Sequence, residues 1–327
     1  MEKKSTFDLV SDDSDHHFHH HNIGGNCFRD TKSAVYKRIM KEWKILEKNL
    51  PDSIHVKAYE RRIDLLRAVI IGAAGTPYHD GLFFFDIAFP EDYPNRPPKI
   101  HYISFGYGLN PNLYSNGYVC LSLLNTWSGK KCERWDPATS TLLQVLVSIQ
   151  ALVLNEKPLY NEPGYRVLGR SLFESKSRAY NGDAFVLTCF SVVCLIRKPP
   201  RNFEEFVKEH FRERGCVLLA ACKAYANGRV RVGYYGYNSN NNDNSNNTAV
   251  IKVTECSKKL LRNAYASMYK NFLECGASLE GFVEELEVEK QVKEKRSNGG
   301  KGIIKKAMGK IKQALGWKKN EKKKITT

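Results

Sequence analysis

One of the cysteines, Cys120, stands where a nucleophile could act. Cys120 lies in residues 105–137, a long stretch with little helical or strand periodicity, and loops of that length in compact domains are usually functional or disordered. Asn112 precedes it by eight residues. A cysteine thiolate can hold an acyl group as a thioester and pass it to an amine, and a neutral amide such as that of Asn112 can stabilise the oxyanion formed on the way. A buried structural cysteine is the alternative of equal weight.

The other cysteines and the histidines do not form a pattern typical of a metal site. The nine cysteines include no C-x-x-C pair, their number is odd, and the N-terminal segment has no apolar run of signal-peptide length. Reduced thiols in the cytosol or nucleus are therefore expected. Five histidines lie within residues 16–21, but nothing nearby supplies a fixed ligand geometry, so a disordered arm over residues 1–31 is the prediction. The sequence predicts no metal and no cofactor.

Regular elements must position the loop that carries Cys120. Residues 32–50 have apolar side chains at helical spacing and are followed by Pro51, which predicts an amphipathic helix. Four β-prone segments then succeed one another directly, and they lie at residues 54–58, 64–71, 82–89 and 100–104. Immediate succession of strands favours an antiparallel meander.

The chain after the loop is expected to be helical. The pattern of apolar residues indicates helices over residues 142–154, 165–197, 202–226 and 251–288. The most apolar run, from Ala184 to Ile196, is shorter than the about 20 residues that span a bilayer, so a buried core helix is expected there. An Asn/Ser-rich tract at residues 238–247 is typical of an exposed insertion.

The positive charge is concentrated in the tail. The net charge of the chain is +16, and residues 290–327 hold 14 basic and two acidic residues, so the tail carries +12 of it. The excess therefore does not indicate a nucleic-acid-binding fold. Residues 303–317 place apolar side chains on one helical face and lysines elsewhere, a pattern typical of a helix that contacts an endomembrane surface or a partner. A disordered tail or nuclear-import patch is the somewhat stronger alternative.

The motifs around Cys120 resemble those of the ubiquitin-conjugating enzymes over about residues 32–165. They occur in the order and at the spacing of that family, as Tyr93-Pro94-Asn95-Arg96-Pro97-Pro98, Asn110-Pro111-Asn112, Cys120-Leu121 and Trp135-Asp136-Pro137-Ala138. Residues 121–127 and 161–165 resemble the large, ligase-like hybrid members of the family, including the plant type tied to phosphate homeostasis.

The resemblance implies a fold and a domain organisation. The implied fold is the α+β ubiquitin-conjugating fold with a four-strand antiparallel meander, extended by C-terminal helices. The chain would then comprise the disordered arm (1–31), a catalytic domain (32–200), a helical extension (201–288) and the basic tail (289–327).

The same resemblance implies roles for individual residues. Cys120 would carry the C-terminal glycine of ubiquitin as a thioester, and Asn112 would be the oxyanion-stabilising or loop-stabilising asparagine. Glu162 is the candidate acid that orients the acceptor lysine. A basic face of the first helix would contact the activating enzyme, and its residues are Lys37, Arg38, Lys41 and Lys44. The implied partners are ubiquitin, the activating enzyme and protein substrates, with a ubiquitin ligase as a further candidate partner.

The chain also departs from the family pattern. Asn110 replaces the usual histidine and can form the turn through its own side chain. Asn95 and Arg96 stand where a bulky apolar residue often receives RING ligases, and Asp136 replaces a common serine. These replacements favour an enzyme that selects its substrates without a separate ligase. The alternative function is a catalytically weak ubiquitin-binding or scaffold variant of the same fold, although such variants usually lack the cysteine.

Overall fold

A five-stranded sheet runs through the part of the chain that the computed structural model describes, which is residues 5–20, 26–127, 129–162, 164–165, 170–236 and 253–287. In spatial order, its strands are β1 (Phe7–Val10), β2 (Ile54–Tyr59), β3 (Arg62–Ile71), β4 (Leu82–Ala88) and β5 (Lys99–Tyr102). Strands β2 to β5 pair antiparallel, which confirms the expected meander. Strand β1 adds a fifth strand, parallel to β2, with Phe7 opposite Val56.

Both faces of this sheet are buried. On the inner face, alternate residues of β3 such as Leu66 and Ile70 belong to one apolar cluster together with the first helices of the chain. On the outer face, Val69 of β3 and Phe84 of β4 belong to a second cluster with the C-terminal helices. A strand covered on both faces can be apolar throughout, which accounts for the lack of alternation in β3 and β4.

Two helices pack into the inner cluster and confirm the elements expected over residues 32–50 and 142–154. Helix α1 (Ala34–Asn49) begins at Ser33, whose hydroxyl oxygen accepts a hydrogen bond from the N–H of Tyr36 (3.0 Å), as an N-cap does. Helix α2 (Leu142–Ser148) is capped by Thr141 and continues as a π-helical turn, Ile149–Val153. The end of this π-helical turn reaches the loop of Cys120.

Three further helices cover the outer face of the sheet. They are α3 (Glu174–Arg197), α4 (Glu204–Ala226) and α5 (Glu255–Glu274), and they confirm the expectation of helices in this part of the chain. Of the described helices, only α3 is long and apolar enough to cross a membrane, yet 67% of its most apolar window is buried. The Asn-rich tract and the basic tail lie outside the described residues, and the domain boundary at residue 200 stays a prediction.

The prediction of a disordered arm is wrong for residues 5–20. Residues 7–10 form β1, and the side chains of His16 and Phe18 are buried. The Nε2 atom of His16 lies 3.0 Å from the carbonyl oxygen of Leu66, and the N–H of His17 donates to a carboxylate oxygen of Asp86 (2.8 Å). The polar composition of the arm suggested disorder. The hydrogen-bond partners that order the arm lie in distant strands, so the local sequence does not reveal them.

Candidate active site

Cys120 and Asn112 are joined by two reciprocal hydrogen bonds. The backbone N–H of Cys120 donates to the carbonyl oxygen of Asn112 (2.9 Å), and Nδ2 of Asn112 donates to the carbonyl oxygen of Cys120 (2.9 Å). The structure therefore brings together the two residues that sequence reasoning paired. In this state the Asn112 amide braces the loop, and its Oδ1 atom is buried with no hydrogen-bond partner in the described part of the chain.

Thr126 fixes the chain on both sides of Cys120. Its hydroxyl lies within hydrogen-bond distance of the carbonyl oxygens of Val119 (2.9 Å) and Leu121 (3.1 Å) and accepts from the N–H of Leu121 (2.9 Å). The Sγ atom of Cys120 donates to the carbonyl oxygen of Thr126 (3.2 Å). The sequence analysis missed this residue, because a threonine in an irregular loop carries no signal of such a role.

Asn110 takes the structural place expected of it. Its Oδ1 atom accepts hydrogen bonds from the N–H of Asn112 (2.8 Å) and from Nδ2 of Asn161 (3.3 Å). Its Nδ2 atom donates to the hydroxyl of Tyr78 (2.8 Å) and to the carbonyl oxygen of Val153 (2.7 Å). These bonds use the full capacity of the amide, so Asn110 ties the Cys120 loop to the end of α2 and to the β3–β4 turn.

An open cleft of about 470 Å³ lies beside Cys120. Its lining includes Cys120 and Asn112, the end of the π-helical turn, and five residues beyond that turn, which are Asn155, Glu156, Lys157, Tyr160 and Asn161. Among them, Glu156 is an exposed carboxylate that the sequence analysis missed.

The environment of Cys120 disfavours the thiolate in the resting chain. Burial raises the pKa of the Cys120 thiol from 9.0 to about 11, and the negative charge of Glu162 adds to the shift. Glu162 thus acts on the Cys120 thiol through its charge, while its role toward an acceptor lysine stays a prediction. A thiol with a raised pKa reacts through a small thiolate population, so its reactivity depends on its reaction partner and on pH.

Alkylation of Cys120 by iodoacetamide is expected to be slow at pH 7.5 and to rise about tenfold per pH unit up to about pH 10. Replacing Glu162 by glutamine should lower the pKa of the thiol and speed alkylation at any fixed pH below it. The rate is measured by mass spectrometry of the Cys120 peptide. Glu280→Gln, on an exposed segment far along the chain, is the control. A rate that reaches its plateau by pH 9 would contradict the raised pKa.

The basic face of α1 needs one correction. Lys37, Lys41 and Lys44 are exposed, as expected of a surface for the activating enzyme. Arg38 points inward instead, because its NH2 atom donates to the carbonyl oxygen of Ser140 (2.8 Å) and lies 3.2 Å from the carboxylate of Glu42. Arg38 therefore neutralises a buried glutamate and helps to hold α1 against α2, while the three lysines form the accessible basic face.

The surface at the expected ligase-docking loops is polar. Arg96 is exposed and forms an ion pair with Asp92 (2.7 Å). The carboxylate of Asp136 accepts hydrogen bonds from the N–H of Ala138 (3.0 Å) and the hydroxyl of Thr139 (2.8 Å), and these bonds lower its pKa. The ring of Trp135 is buried, and its N–H donates to the carbonyl oxygen of Pro94 (2.7 Å).

The loop between Cys120 and Trp135 forms a second, broader cleft of about 1350 Å³. A 3-10 turn, Lys131–Glu133, borders it, and Lys130, Lys131 and Cys132 are exposed there. This cleft adjoins the cleft of Cys120 along Trp127 and Leu152, and Leu152 is 61% exposed.

Comparisons with known proteins agree with this geometry. A family model described as ubiquitin-conjugating enzyme matches residues 38–185. The chain is 56% identical over 223 residues to "Probable ubiquitin-conjugating enzyme E2 24" of Arabidopsis thaliana, covering 68% of this chain and 24% of that protein. It is 55% identical over 229 residues to "Putative ubiquitin-conjugating enzyme E2 39" of the same plant, covering 68% of this chain and 70% of that protein.

A more distant relative carries a double description. The chain is 37% identical over 235 residues to "Dual E2 ubiquitin-conjugating enzyme/E3 ubiquitin-protein ligase BIRC6" of Homo sapiens, covering 67% of this chain and 5% of that protein. The chain thus spans about a quarter of the first Arabidopsis relative and a small part of the human one. The region that the family model matches, residues 38–185, includes Cys120, Asn112 and Glu162.

Proposed function

Because the chain belongs to the ubiquitin-conjugating enzyme family, we propose that it accepts ubiquitin as a thioester on Cys120 and transfers it to lysine amines of protein substrates. The observation that carries the proposal is the pairing of Cys120 with Asn112 beside an open cleft. A cysteine of purely structural use has no need of a side-chain amide at its own carbonyl or of an open cleft at its sulfur.

The proposed chemistry consists of two acyl transfers. In the first, the Cys120 thiolate attacks the thioester carbonyl of ubiquitin on the activating enzyme, a new C–S bond forms, and the enzyme's cysteine leaves as a thiolate that takes up the proton. In the second, a neutral lysine amine attacks the carbonyl, the C–N bond forms and the C–S bond breaks. The amine loses a proton and Cys120 is protonated again.

We propose further that the chain transfers ubiquitin without a separate ligase. The polar surface at Asn95, Arg96 and Asp136 supports this proposal, since it offers no bulky apolar side chain for a RING ligase. The broad second cleft and the helices that cover the outer face supply surface for selecting a substrate. A relative described as a dual conjugating enzyme and ligase points in the same direction.

The cellular location of the protein and the role of its basic tail are proposed from the sequence. We propose a cytosolic or nuclear protein whose basic tail contacts an anionic membrane surface or a partner. The charge of +12 over residues 290–327 supports the contact, because each lysine near an anionic surface contributes about 1 kcal/mol.

A charging assay tests the proposed function. The protein is mixed with activating enzyme, ATP and ubiquitin, and the products are run on reducing and non-reducing gels. We expect an adduct that thiols remove and that mass spectrometry maps to Cys120. Cys132→Ser, which removes the exposed thiol of the neighbouring cleft, is the matched control and should charge normally. No adduct, or an adduct on another cysteine, would contradict the proposal and favour a binding or scaffold variant.

The same reactions test unaided transfer. Without any ligase, products that survive reductant should accumulate with time as ubiquitin reaches lysines. An adduct that forms on Cys120 but produces no such products would support conjugation and contradict transfer without a ligase.

A further inference from the structure

Asn112 and Cys120 stand at the open end of a short hairpin. Residues 112–120, here called the cysteine hairpin, begin and end with this pair, in which the N–H of Cys120 donates to the carbonyl oxygen of Asn112 (2.9 Å). At the other end, the N–H of Gly117 donates to the carbonyl oxygen of Tyr114 (3.0 Å) and closes a turn. The position of the pair therefore depends on what holds this turn.

The turn of the cysteine hairpin lies against β5. The carbonyl oxygen of Gly117 accepts a hydrogen bond from the N–H of Tyr102 (2.8 Å), and His101 forms an antiparallel bridge with Tyr118. The φ of Gly117 is +85°, and a Cβ at this position would lie only 2.0 Å from Cε1 of the His101 ring. A side chain would collide with the ring, so glycine is required here. The imidazole of His101 thus lies directly against the backbone of the hairpin.

The N-terminal arm contacts the same imidazole. The ring of His17 is stacked on the ring of His101, with the ring centroids 3.5 Å apart and the planes inclined by 4°. Asp86 on β4 sets this arrangement, because it accepts a hydrogen bond from the N–H of His17 (2.8 Å) and lies opposite His101 in the β4–β5 register. Burial, together with the neighbouring His17, lowers the pKa of His101 to about 4. The His101 ring is therefore uncharged near pH 7.

The C-terminal extension holds the arm in place. A carboxylate oxygen of Asp12 accepts a hydrogen bond from the guanidinium of Arg201 (2.7 Å), and the backbone N–H of Arg201 donates to the carboxylate of Asp15 (3.0 Å). Nδ2 of Asn202 donates to the carbonyl oxygen of Asp12 (2.7 Å). Arg201 and Asn202 lie between α3 and α4. Continuous contacts thus run from the extension through the arm and β5 to the cysteine hairpin.

We propose that the N-terminal arm positions the cysteine hairpin, and that His17 and His101 are the positioning residues through which it acts. This inference rests on the proposed function, since it concerns the geometry of ubiquitin transfer from Cys120. A thioester and its attacking amine react only within a narrow range of distances and angles, so a displacement of about 1 Å slows transfer strongly. Because His17 is exposed, the core of the protein does not require its ring.

Discharge of a preformed ubiquitin thioester to free lysine, followed in a single turnover, tests the proposal. His17→Ala should lower the rate about threefold to tenfold, whereas His17→Phe, which keeps a ring for stacking, should stay within about twofold of wild type. His101→Ala should lose at least as much as His17→Ala, and the double variant should be no slower than His101→Ala. His20→Ala, at an exposed position of the same arm, is the matched control and should transfer as wild type does.

An NMR titration of the His101 ring measures the contact itself. In the wild type the ring should titrate with a pKa of about 4. In His17→Ala the pKa of His101 should move up toward 6.5, because the ring is less buried and loses a neighbouring positive charge. An unchanged melting temperature would show that this variant is folded. A pKa of His101 that does not move in His17→Ala would show that the two rings are not in contact, and the proposal would fail.

The kinetic outcomes are distinct from one another. A His17→Ala protein that transfers at the wild-type rate would overturn the proposal while the proposed function stands. Equal losses in His17→Phe and His17→Ala would refute the role of the stacked ring, and additive losses in the double variant would refute the route through His101. A wild-type chain that does not charge with ubiquitin overturns the proposed function itself, and this inference with it.

Discussion

An Asn112→Ala protein is expected to accept ubiquitin on Cys120 and to pass it to lysine about 10²–10³ times more slowly than the wild type. Attack by an amine places negative charge on the carbonyl oxygen, and a neutral amide donor is suited to stabilise it. Charging exchanges one thiolate for another, which has a lower intrinsic barrier, so we expect it to depend less on the amide. Single-turnover discharge of purified thioester to lysine measures the effect.

The geometry allows two roles for Asn112, and two variants separate them. In the resting chain its Nδ2 atom donates to the carbonyl oxygen of Cys120, so the amide must turn to reach an oxyanion on the substrate. Asn112→Asp keeps the shape and removes both donors. If stabilising the oxyanion is its role, both variants should lose transfer, while Asn112→Ala still charges and keeps a melting temperature near that of wild type.

A bracing role would give a different pattern. Loss of the hydrogen bond to Cys120 would then disorder the loop, and charging, transfer and melting temperature would all fall together. Asn116→Ala is the control in the same loop, since its side chain accepts only from the N–H of Tyr118 (3.1 Å) among the described contacts. Transfer at the wild-type rate in Asn112→Ala would contradict both roles.

The elements that hold this site could be predicted because their signals are local. Helix α1 and strands β2 to β5 follow from apolar spacing within each segment, and the Asn112–Cys120 pair lies within one short loop. Arg38 was assigned to the accessible face from its charge, yet it pairs with buried Glu42 and with Ser140, about a hundred residues away. A helical wheel shows on which face of a helix a side chain lies, but it does not show which polar groups of other elements contact that face.

The parts that sequence reasoning missed depend on distant contacts. Asp12 and Arg201 are separated by 189 positions, and neither has a neighbour in sequence that suggests the pairing. The order of the N-terminal arm likewise depends on charged residues in β3 and β4. Composition predicted a solvated arm, because the segment is polar. Composition does not show that a buried ion pair in distant strands needs polar partners from this segment.

Breaking the buried ion pair between Arg67 and Asp86 should lower the stability of the fold. Arg67→Ala is expected to lower the free energy of unfolding by about 3–5 kcal/mol at pH 7.5, since it leaves a buried charge without its partner. Arg67 lies on β3 and donates to both carboxylate oxygens of Asp86 on β4 (2.6 and 3.0 Å). It also binds Asp15 of the arm (2.8 Å), so one guanidinium joins the sheet to the N-terminal segment.

The loss of unfolding free energy in Arg67→Ala should depend on pH, and the contacts of Asp86 determine the direction of that dependence. Burial alone would raise the pKa of Asp86, but hydrogen bonds from Arg67 and from the backbone N–H of His17 hold it below 3.8. Without Arg67, burial dominates and the pKa of Asp86 rises above its unfolded value. The folded variant then favours the protonated acid, so its deficit relative to wild type is largest near pH 7.5 and shrinks as the pH falls toward 4.

Chemical unfolding at pH 7.5 and pH 4.5 measures both statements. Arg96→Ala is the matched control, because Arg96 forms a similar pair with Asp92 that is exposed to solvent, so its loss should leave the free energy of unfolding nearly unchanged. The double variant Arg67→Ala/Asp86→Ala should lose less than the two single variants combined, since it removes the unpaired charge as well. A loss below about 1 kcal/mol in Arg67→Ala, or a deficit that grows in acid, would show that the arm and the sheet do not depend on this pair.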